Sequence, residues 1–218
     1  MKNQKEEIEK EKPKLSVLNL YAGIGGNRKL WGDDIEVTAI ENNPEIAIVY
    51  MELFPKDFVI ITDAHEYLLH NYMNFDLIWS SPPCQTHSSF RKNICVEFRG
   101  TEAKYPDMKL YEEIIFLKTH AKCLWVVENV CPYYTPLIEP TCKLQRHLFW
   151  SNFKIEGKQN FRQDKIRFAQ IPQLQSLHGF DLSKYKLENK RQVLRNCVNA
   201  ELGLHIFQCA LKQRIKSK

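Results

Sequence analysis

The strongest constraint on the fold is the alternation of short apolar segments with segments of helical periodicity. The spacing predicts strands at 16–21, 36–40, 58–61, 75–79, 123–127 and 148–153. It predicts helices at 27–31, 44–51, 63–72, 108–121 and 199–212, while 161–189 shows no clean period. Such alternation is typical of βαβ units, whose parallel strands form a sheet with helices on both faces. The sequence therefore predicts an α/β protein with a doubly wound, mostly parallel sheet.

Positive charge is concentrated in the last third of the chain. The net charge is +5 over 218 residues, but residues 151–218 hold 14 Lys and Arg against 5 Asp and Glu. A basic segment of this kind suits contact with a phosphate backbone, although a solvated lysine-rich face has the same composition.

The cysteines and the apolar runs exclude several classes of protein. Seven cysteines are irregularly spaced without any C-x-x-C pair, so we expect reduced thiols, no disulfide framework and no metal site. The sequence has neither an apolar run of membrane-spanning length nor a secretory signal, and it begins with a charged tail. We therefore expect an intracellular protein that does not bind membranes.

A glycine-rich turn and an acidic residue follow the first two predicted strands. The first strand leads into Tyr21-Ala22-Gly23-Ile24-Gly25-Gly26, and the second ends at Glu41-Asn42. Glycines between a strand and a helix let backbone N–H groups approach a ligand, and a carboxylate nearby can bridge two ribose hydroxyls. Asp63 follows the third strand, where it also begins a helix as a cap. The pattern predicts a nucleoside-containing cofactor.

Two further strand ends carry reactive side chains. Ser80-Ser81-Pro82-Pro83-Cys84 follows the fourth strand, and its two prolines hold the thiol rigidly at the edge of the sheet. Glu128-Asn129 ends the fifth strand, where a carboxylate is costly to desolvate unless it has a partner or a chemical role. The alternatives are a turn with an incidental cysteine and an ion pair that ends a strand.

These motifs resemble those of the cytosine-C5 DNA methyltransferase family, in family order from Leu18 to about Phe207. The glycine turn resembles F-A-G-x-G-G with Tyr21 for phenylalanine, Pro83-Cys84-Gln85 matches P-C-Q, and Glu128-Asn129-Val130 matches E-N-V. Residues 195–199 resemble G-N-A-V-P, with arginine and asparagine in place of the glycine and the proline. The resemblance, closest to short bacterial or phage members, implies a Rossmann-like, class I S-adenosylmethionine-dependent methyltransferase fold with a very small target-recognition insertion.

The resemblance also implies a cofactor site. It assigns S-adenosyl-L-methionine, with S-adenosyl-L-homocysteine as product, to residues at the strand ends and in the returning element. These residues are Tyr21, Ala22, Gly23, Ile24, Gly25, Gly26, Glu41, Asn42, Asp63, Ala64, Pro83, Asn196 and Cys197.

The implied reaction is methylation of cytosine C5 through a covalent intermediate. Cys84 attacks C6 of a flipped-out base while Glu128, supported by Asn129, hydrogen-bonds or protonates N3. The family's Q-x-R-x-R element aligns poorly, and either Arg146 or His147 fills its role. Double-stranded DNA is the expected partner, contacted by Gln85, Arg91, Lys92, Lys165 and Arg167, and a homodimer or a partner subunit stays open.

The resemblance divides the chain into four parts and leaves two alternative functions. We expect a charged tail at 1–14, a catalytic domain at 15–152, a small target-recognition segment at 153–189 and a returning C-terminal helix at 190–218. The alternatives are methylation of tRNA cytosine by the same chemistry, and an inactive DNA-binding or regulatory homologue. We expect a cytoplasmic protein of a bacterial or phage-infected cell, acting within a restriction-modification system or alone.

Overall fold

The computed structural model describes residues 14–156 and 169–216, which include a seven-stranded sheet in the order β3-β2-β1-β4-β5-β7-β6. The strands are β1 (Leu15–Leu20), β2 (Ile35–Ile40), β3 (Phe58–Ile60), β4 (Leu77–Ser80), β5 (Leu124–Val130), β6 (Cys142–Leu144) and β7 (His147–Ser151). The first five strands pair in parallel, whereas β7 is antiparallel to both β5 and β6. The predicted doubly wound, mostly parallel sheet is confirmed.

Six α-helices lie within the described residues: α1 (Pro44–Leu53), α2 (Ala64–Asn71), α3 (Lys109–His120), α4 (Ile171–His178), α5 (Lys190–Asn196) and α6 (Ala200–Lys216). Polar side chains cap the helices that follow β2 and β3. The Asn43 side chain accepts hydrogen bonds from two backbone N–H groups of α1, and Asp63 accepts one from Glu66. None of the described helices is long and apolar enough to cross a membrane.

The central strands are buried on both sides, because helices cover both faces of the sheet. Val17 and its neighbours on one face pack against α6 through Leu202 and Ile206. Leu18 and its neighbours on the other face pack against α2 and α3, including Ile114. Adjacent residues of β1 therefore belong to different cores, and this accounts for the continuous apolar runs in the sequence.

The structure differs from the sequence-based prediction at several elements, and the C-terminal helix expected at 190–218 is divided into α5 and α6. The helix expected at 27–31 is a three-residue 3₁₀ turn (Arg28–Leu30), β6 was not predicted, and the segment expected to be irregular contains α4. Leu174 of α4 is fully buried and packs in one cluster with Ile24 and Val49. An eight-residue helix completes barely two turns, which is too short for its periodicity to be recognised.

The strand order reverses between β1 and β4, and this position determines where a ligand can bind. From β1 the chain continues outward to β2 and β3, and then it returns to β4 on the other side. The connections leaving β1 and β4 consequently diverge and open a crevice beyond the carboxyl ends of both strands. The predicted glycine turn and the predicted nucleophile lie in these two connections.

Replacing Gly203 with alanine tests how closely α6 packs on the turn after β1. Alanine normally stabilises a helix interior by about 1 kcal/mol relative to glycine. Here a Cβ at position 203 would lie 2.4 Å from the backbone oxygen of Asn27. We expect Gly203→Ala to lower the free energy of unfolding by about 1–3 kcal/mol in urea denaturation. The exposed Gln208→Ala of the same helix should change it little, and a stabilising Gly203→Ala would contradict this packing.

Candidate active site

One cavity of about 360 Å³ lies at the carboxyl ends of the central strands, where the strand order reverses. Its walls come from the connections after β1, β2 and β4, from the end of β5, from the β6–β7 turn and from residues 187–198. Segments distant in sequence meet here because parallel strands all end at the same edge of the sheet. The cavity brings most of the predicted site residues together.

The glycine turn follows a path that requires glycine for two reasons, a positive φ at Gly23 and close packing at Gly26. Ala22 N–H donates to Ile40 O at 2.9 Å, which ties the turn to β2. Gly23 has φ +55°, and a Cβ built there would meet no other atom within 4 Å, so this backbone faces open space in the cavity. At Gly26 a Cβ would lie 2.7 Å from Val198 O, because residues 197–198 pack directly on the turn.

The Glu41 carboxylate forms the wall of the cavity between the turn and α1. It is 8% exposed, and its two oxygens accept backbone hydrogen bonds from Gly23 and Asn43, both at 2.9 Å. Burial raises the pKa of Glu41, whereas these backbone donors lower it. Each carboxylate oxygen has a second lone pair, so Glu41 retains acceptor capacity toward a ligand hydroxyl.

Tyr21, the tyrosine at the start of the turn, joins a buried polar cluster beneath the cavity. Its hydroxyl donates to Glu113 Oε1, and the Ser80 hydroxyl donates to Glu113 Oε2 at 2.6 Å. His65 Nδ1 lies 3.0 Å from the same carboxylate, and its pKa is raised, first by this hydrogen bond. Tyr21 has a positive φ of +56°, so the cluster secures a backbone conformation that tyrosine adopts rarely.

The segment that contains Cys84, the predicted nucleophile, is held against the end of β5. Asn129 Nδ2 donates to Pro82 O at 2.9 Å, and Asn129 Oδ1 accepts from Val130 N–H. The chain then turns tightly, since Cys84 O accepts hydrogen bonds from His87 N–H and Ser88 N–H, both at 3.1 Å. Buried Asn129 thereby fixes the position at which the half-buried Cys84 enters the cavity.

Glu128 is a carboxyl group almost completely removed from water. It is 6% exposed at the end of β5, and burial raises its pKa to about 7, although a hydrogen bond from Ser81 and the charge of Arg146 lower it. Trp79 Nε1 donates to Ser81 Oγ at 2.9 Å and orients that hydroxyl. Near neutral pH this carboxyl can therefore hold or release a proton, as a general acid must.

The Cys84 thiol stays protonated in the free protein at neutral pH. Its pKa is raised to about 11, first by burial and then by the negative charge of Glu128. Arg146 and Arg195 act in the opposite direction and lower it. Neutralising Glu128 would remove one of the two effects that disfavour the thiolate, so the protonation states of the two groups are coupled.

Arg146 and His147 both reach the cavity, but they contact different partners. Arg146 Nη2 donates to Arg195 O at 3.1 Å. His147 Nε2 lies 3.5 Å from Glu128 Oε1, and burial, followed by the charge of Arg146, lowers the pKa of His147 well below its usual value. His147 is thus neutral where it contacts Glu128, while the permanently charged Arg146 acts on both Cys84 and Glu128.

Three predicted cofactor residues do not line the cavity. Gly25 packs under Phe54, and Asp63 caps α2 and pairs with Lys109 at 3.7 Å, next to Ala64. Their contact with a cofactor stays a prediction. The other predicted cofactor residues line it: Tyr21, Ala22, Gly23, Ile24, Gly26, Glu41, Asn42, Pro83, Asn196 and Cys197.

The predicted nucleic-acid contacts are spread more widely. Gln85 lies in the cavity wall, whereas Arg91 and Lys92 lie in a π-helical segment, Arg91–Phe98, beyond it. Lys165 and Arg167 lie outside the described residues. Sequence reasoning assigned no role to Arg195, which also lines the cavity; its signal was the replacement of a motif glycine by a cation.

The fold belongs to the doubly wound α/β class, with its ligand cavity at the point where the strand order reverses. Within this class, the model of the C-5 cytosine-specific DNA methylase family matches residues 15–131, slightly more than half of the chain. The chain therefore belongs to the C-5 cytosine-specific DNA methylase family, as its motifs predict. The matched residues contain the glycine turn, the Cys84 segment and Glu128. A comparison with curated protein sequences gave no match.

Solved structures show partial similarity to the chain. An S-adenosylmethionine-dependent methyltransferase from Agrobacterium tumefaciens is 17% identical, with 56% of this chain and 41% of that chain covered and a TM-score of 0.40. A protein described as a DNA modification methyltransferase encoded within an E. coli prophage is 22% identical, with 56% and 33% covered and a TM-score of 0.36. The chain thus spans less than half the length of both proteins.

Replacing Glu128 with glutamine tests the burial of its ionisable carboxyl. The folded protein retains this proton up to about pH 7, whereas the unfolded chain releases it near 4.5. The carboxyl therefore lowers the free energy of unfolding progressively as pH rises between these values. From pH 4 to pH 8 we expect the stability of Glu128→Gln relative to wild type to rise by roughly 3 kcal/mol, measured by urea denaturation.

Glu36→Gln is the matched control, because it makes the same substitution at an exposed position of β2. Its stability relative to wild type should stay nearly constant over the same pH range. A Glu128→Gln difference that is equally flat would show that folding does not raise the pKa of Glu128, which would contradict the burial of an ionisable carboxyl at this position.

Proposed function

We propose that the protein is a DNA (cytosine-5)-methyltransferase that uses S-adenosyl-L-methionine as methyl donor and Cys84 as covalent nucleophile. The observation that supports the proposal most directly is that Cys84 and Glu128 line one cavity, in which the pKa of the Glu128 carboxyl is about 7. A thiol and a proton-donating carboxyl at one site match the two requirements of this reaction.

The cavity fits the proposed cofactor on the side of β1 and β2. The turn at Gly23 leaves room for a ligand next to its backbone, and Glu41 retains acceptor capacity for the two ribose hydroxyls. Asn42, Asn196 and Cys197 also line the cavity. When bound, the cofactor would supply an electrophilic methyl group, and these residues would hold it near the nucleophile.

On the other side of the cavity, Cys84 and Glu128 would act on the cytosine ring. The Cys84 thiolate forms a bond to C6, and the electron pair of the C5–C6 double bond becomes available at C5 while Glu128 donates a proton to N3. C5 would then take the methyl group as the sulfonium–methyl bond breaks, which leaves S-adenosyl-L-homocysteine. The C5 proton passes to solvent, the electron pair of the Sγ–C6 bond returns to sulfur, and N3 returns its proton to Glu128, so that the aromatic ring, the thiolate and the carboxyl are restored.

The electrostatics of the site support this sequence of steps. Glu128 holds a proton near neutral pH, so a bound base can accept a hydrogen bond at N3. A neutral Glu128 also lessens the repulsion that raises the pKa of Cys84, and the Arg146 charge then favours the thiolate. His147, being neutral, contacts Glu128 without forcing it to ionise.

We further propose that the substrate is double-stranded DNA, from which the target base is flipped out. C6 is inaccessible in a stacked duplex, and extrusion costs a few kcal/mol. The excess of Lys and Arg over Asp and Glu in residues 151–218 would supply contacts to DNA phosphates, together with Arg91 and Lys92. The proposal retains residues 15–152 as the catalytic part, residues 153–189 as a small recognition segment, and a site of action in the cytoplasm.

Replacing Cys84 with serine tests the covalent mechanism. The variant should retain the fold but lose methyl transfer from tritiated S-adenosyl-L-methionine to duplex DNA by at least roughly a thousandfold. Cys142→Ser is the control, because Cys142 lies in β6 outside the cavity and its loss should leave turnover unchanged. Near-normal turnover of Cys84→Ser would contradict the covalent step. Methyl transfer by the wild-type protein to tRNA and not to DNA would show that tRNA is the substrate.

Replacing Glu41 with alanine tests the cofactor site without any nucleic acid. Removal of the proposed ribose acceptor should weaken binding of S-adenosyl-L-homocysteine by roughly 10- to 100-fold, because hydrogen bonds to a charged group contribute about 1.5–3 kcal/mol. Isothermal titration calorimetry measures this directly. Glu36 is exposed on β2, the strand that Glu41 follows, and Glu36→Ala should bind as wild type does. Equal affinities for both variants would contradict the placement of the ribose at Glu41.

A further inference from the structure

Arg195 places a second cation in the wall of the cavity that Cys84 also lines, at a position where the family motif has glycine. It lies in the last turn of α5 and lines the same cavity as Cys84 and Glu128. Its guanidinium carbon lies 4.7 Å from the centroid of the Phe90 ring. A planar cation over an aromatic face is a favourable contact, so the guanidinium has a defined place at the nucleophile side of the cavity.

The backbone of Arg195 is held on its other side. Its carbonyl accepts the hydrogen bond from Arg146, and the Cys197 N–H donates to Leu194 O at 3.3 Å. The chain then continues to Val198, which packs on the glycine turn at Gly26. One continuous segment therefore links the proposed cofactor side of the cavity to the residues that follow Cys84.

We propose that Arg195 is a positioning residue for the nucleophile. Its guanidinium, seated on Phe90, supplies a second positive charge beside Cys84 and fixes the turn after Cys84 against the segment that contacts the glycine turn. The proposal deepens the proposed function, because it assigns a role within the same site. It requires no contact between Arg195 and the substrate.

The balance of charge around Cys84 shows why a second cation matters. The charged groups that influence the thiol are Glu128, Arg146 and Arg195, while the nearby His147 is neutral. Burial already disfavours the thiolate, and ionised Glu128 repels it. Arg195 adds to the attraction from Arg146, and its distance from Cys84 depends on the contact with Phe90.

The test measures the reactivity of Cys84 in the free protein, without DNA or cofactor. Iodoacetamide alkylates thiolates, and peptide mass spectrometry resolves the rate for each cysteine from pH 7.5 to 10.5. Cys123 is an internal reference, because burial raises its pKa to about 11 as well and Arg195 does not contribute. We expect Arg195→Gln to slow alkylation of Cys84 about 3- to 10-fold below its pKa, which corresponds to a pKa raised by roughly 0.5–1 unit.

Two further variants separate charge from packing. Arg195→Lys retains the cation, so the alkylation rate of its Cys84 should stay within about twofold of wild type. Phe90→Leu removes the ring that holds the guanidinium, so the alkylation rate of Cys84 should fall as it does in Arg195→Gln. Arg191→Gln removes the same charge from the same helix but lies outside the cavity, where its guanidinium donates to Ala169 O. Arg191→Gln should leave the alkylation rate of Cys84 unchanged.

A Cys84 rate in Arg195→Gln equal to wild type, relative to Cys123, would overturn the proposal. Equal slowing in Arg195→Gln and Arg195→Lys would also overturn it, since the role would then be one of packing alone. Should Arg195→Gln fail to fold, Phe90→Leu decides the question by the same readout. Because alkylation needs no substrate, the outcome is independent of whether methyl transfer to DNA is found.

Discussion

Parallel hydrogen bonding among β1, β4 and β5 is the constraint on which the site depends. Parallel neighbours end at the same edge of the sheet, so the pairing of Ser80 with Val127 brings the connection after β4 alongside Glu128. The pairing of β1 with β4 likewise places the glycine turn next to Ser81, whose N–H donates to Leu20 O. No single segment forms the cavity. A shift in strand register would separate the thiol from the carboxyl.

Burial gives these two side chains their chemical character. Glu128 loses water at the end of a central strand, which brings its pKa to about 7, and the same loss of water disfavours the Cys84 thiolate. The two groups are linked, because the charge of one raises the pKa of the other. The proposed reaction uses this link, since protonation of Glu128 and formation of the thiolate are needed together. Arg146 acts on both groups as a fixed charge.

Several departures from the family motifs are compensated within this structure. Tyr21 replaces a phenylalanine, and its hydroxyl has a partner in the buried Glu113 carboxylate. His147 contacts Glu128 in a neutral form, while Arg146 supplies the cation from the preceding position in the β6–β7 turn. Arg195 replaces a glycine, and its larger side chain is accommodated by packing on the Phe90 ring. The substitutions therefore leave a polar, positively charged environment around Cys84, formed by different side chains.

The sequence by itself determined the α/β class, most of the strands and the main candidate residues. Continuous apolar runs and motifs at strand ends depend on local order along the chain, and Glu41, Cys84 and Glu128 were found in this way. Short elements such as α4 were missed because two turns carry too little periodicity. Only the tertiary structure could separate the places of Arg146 and His147, or bring Arg195 to Cys84. Those relations arise from packing between residues about 20 to 110 positions apart, which no local pattern records.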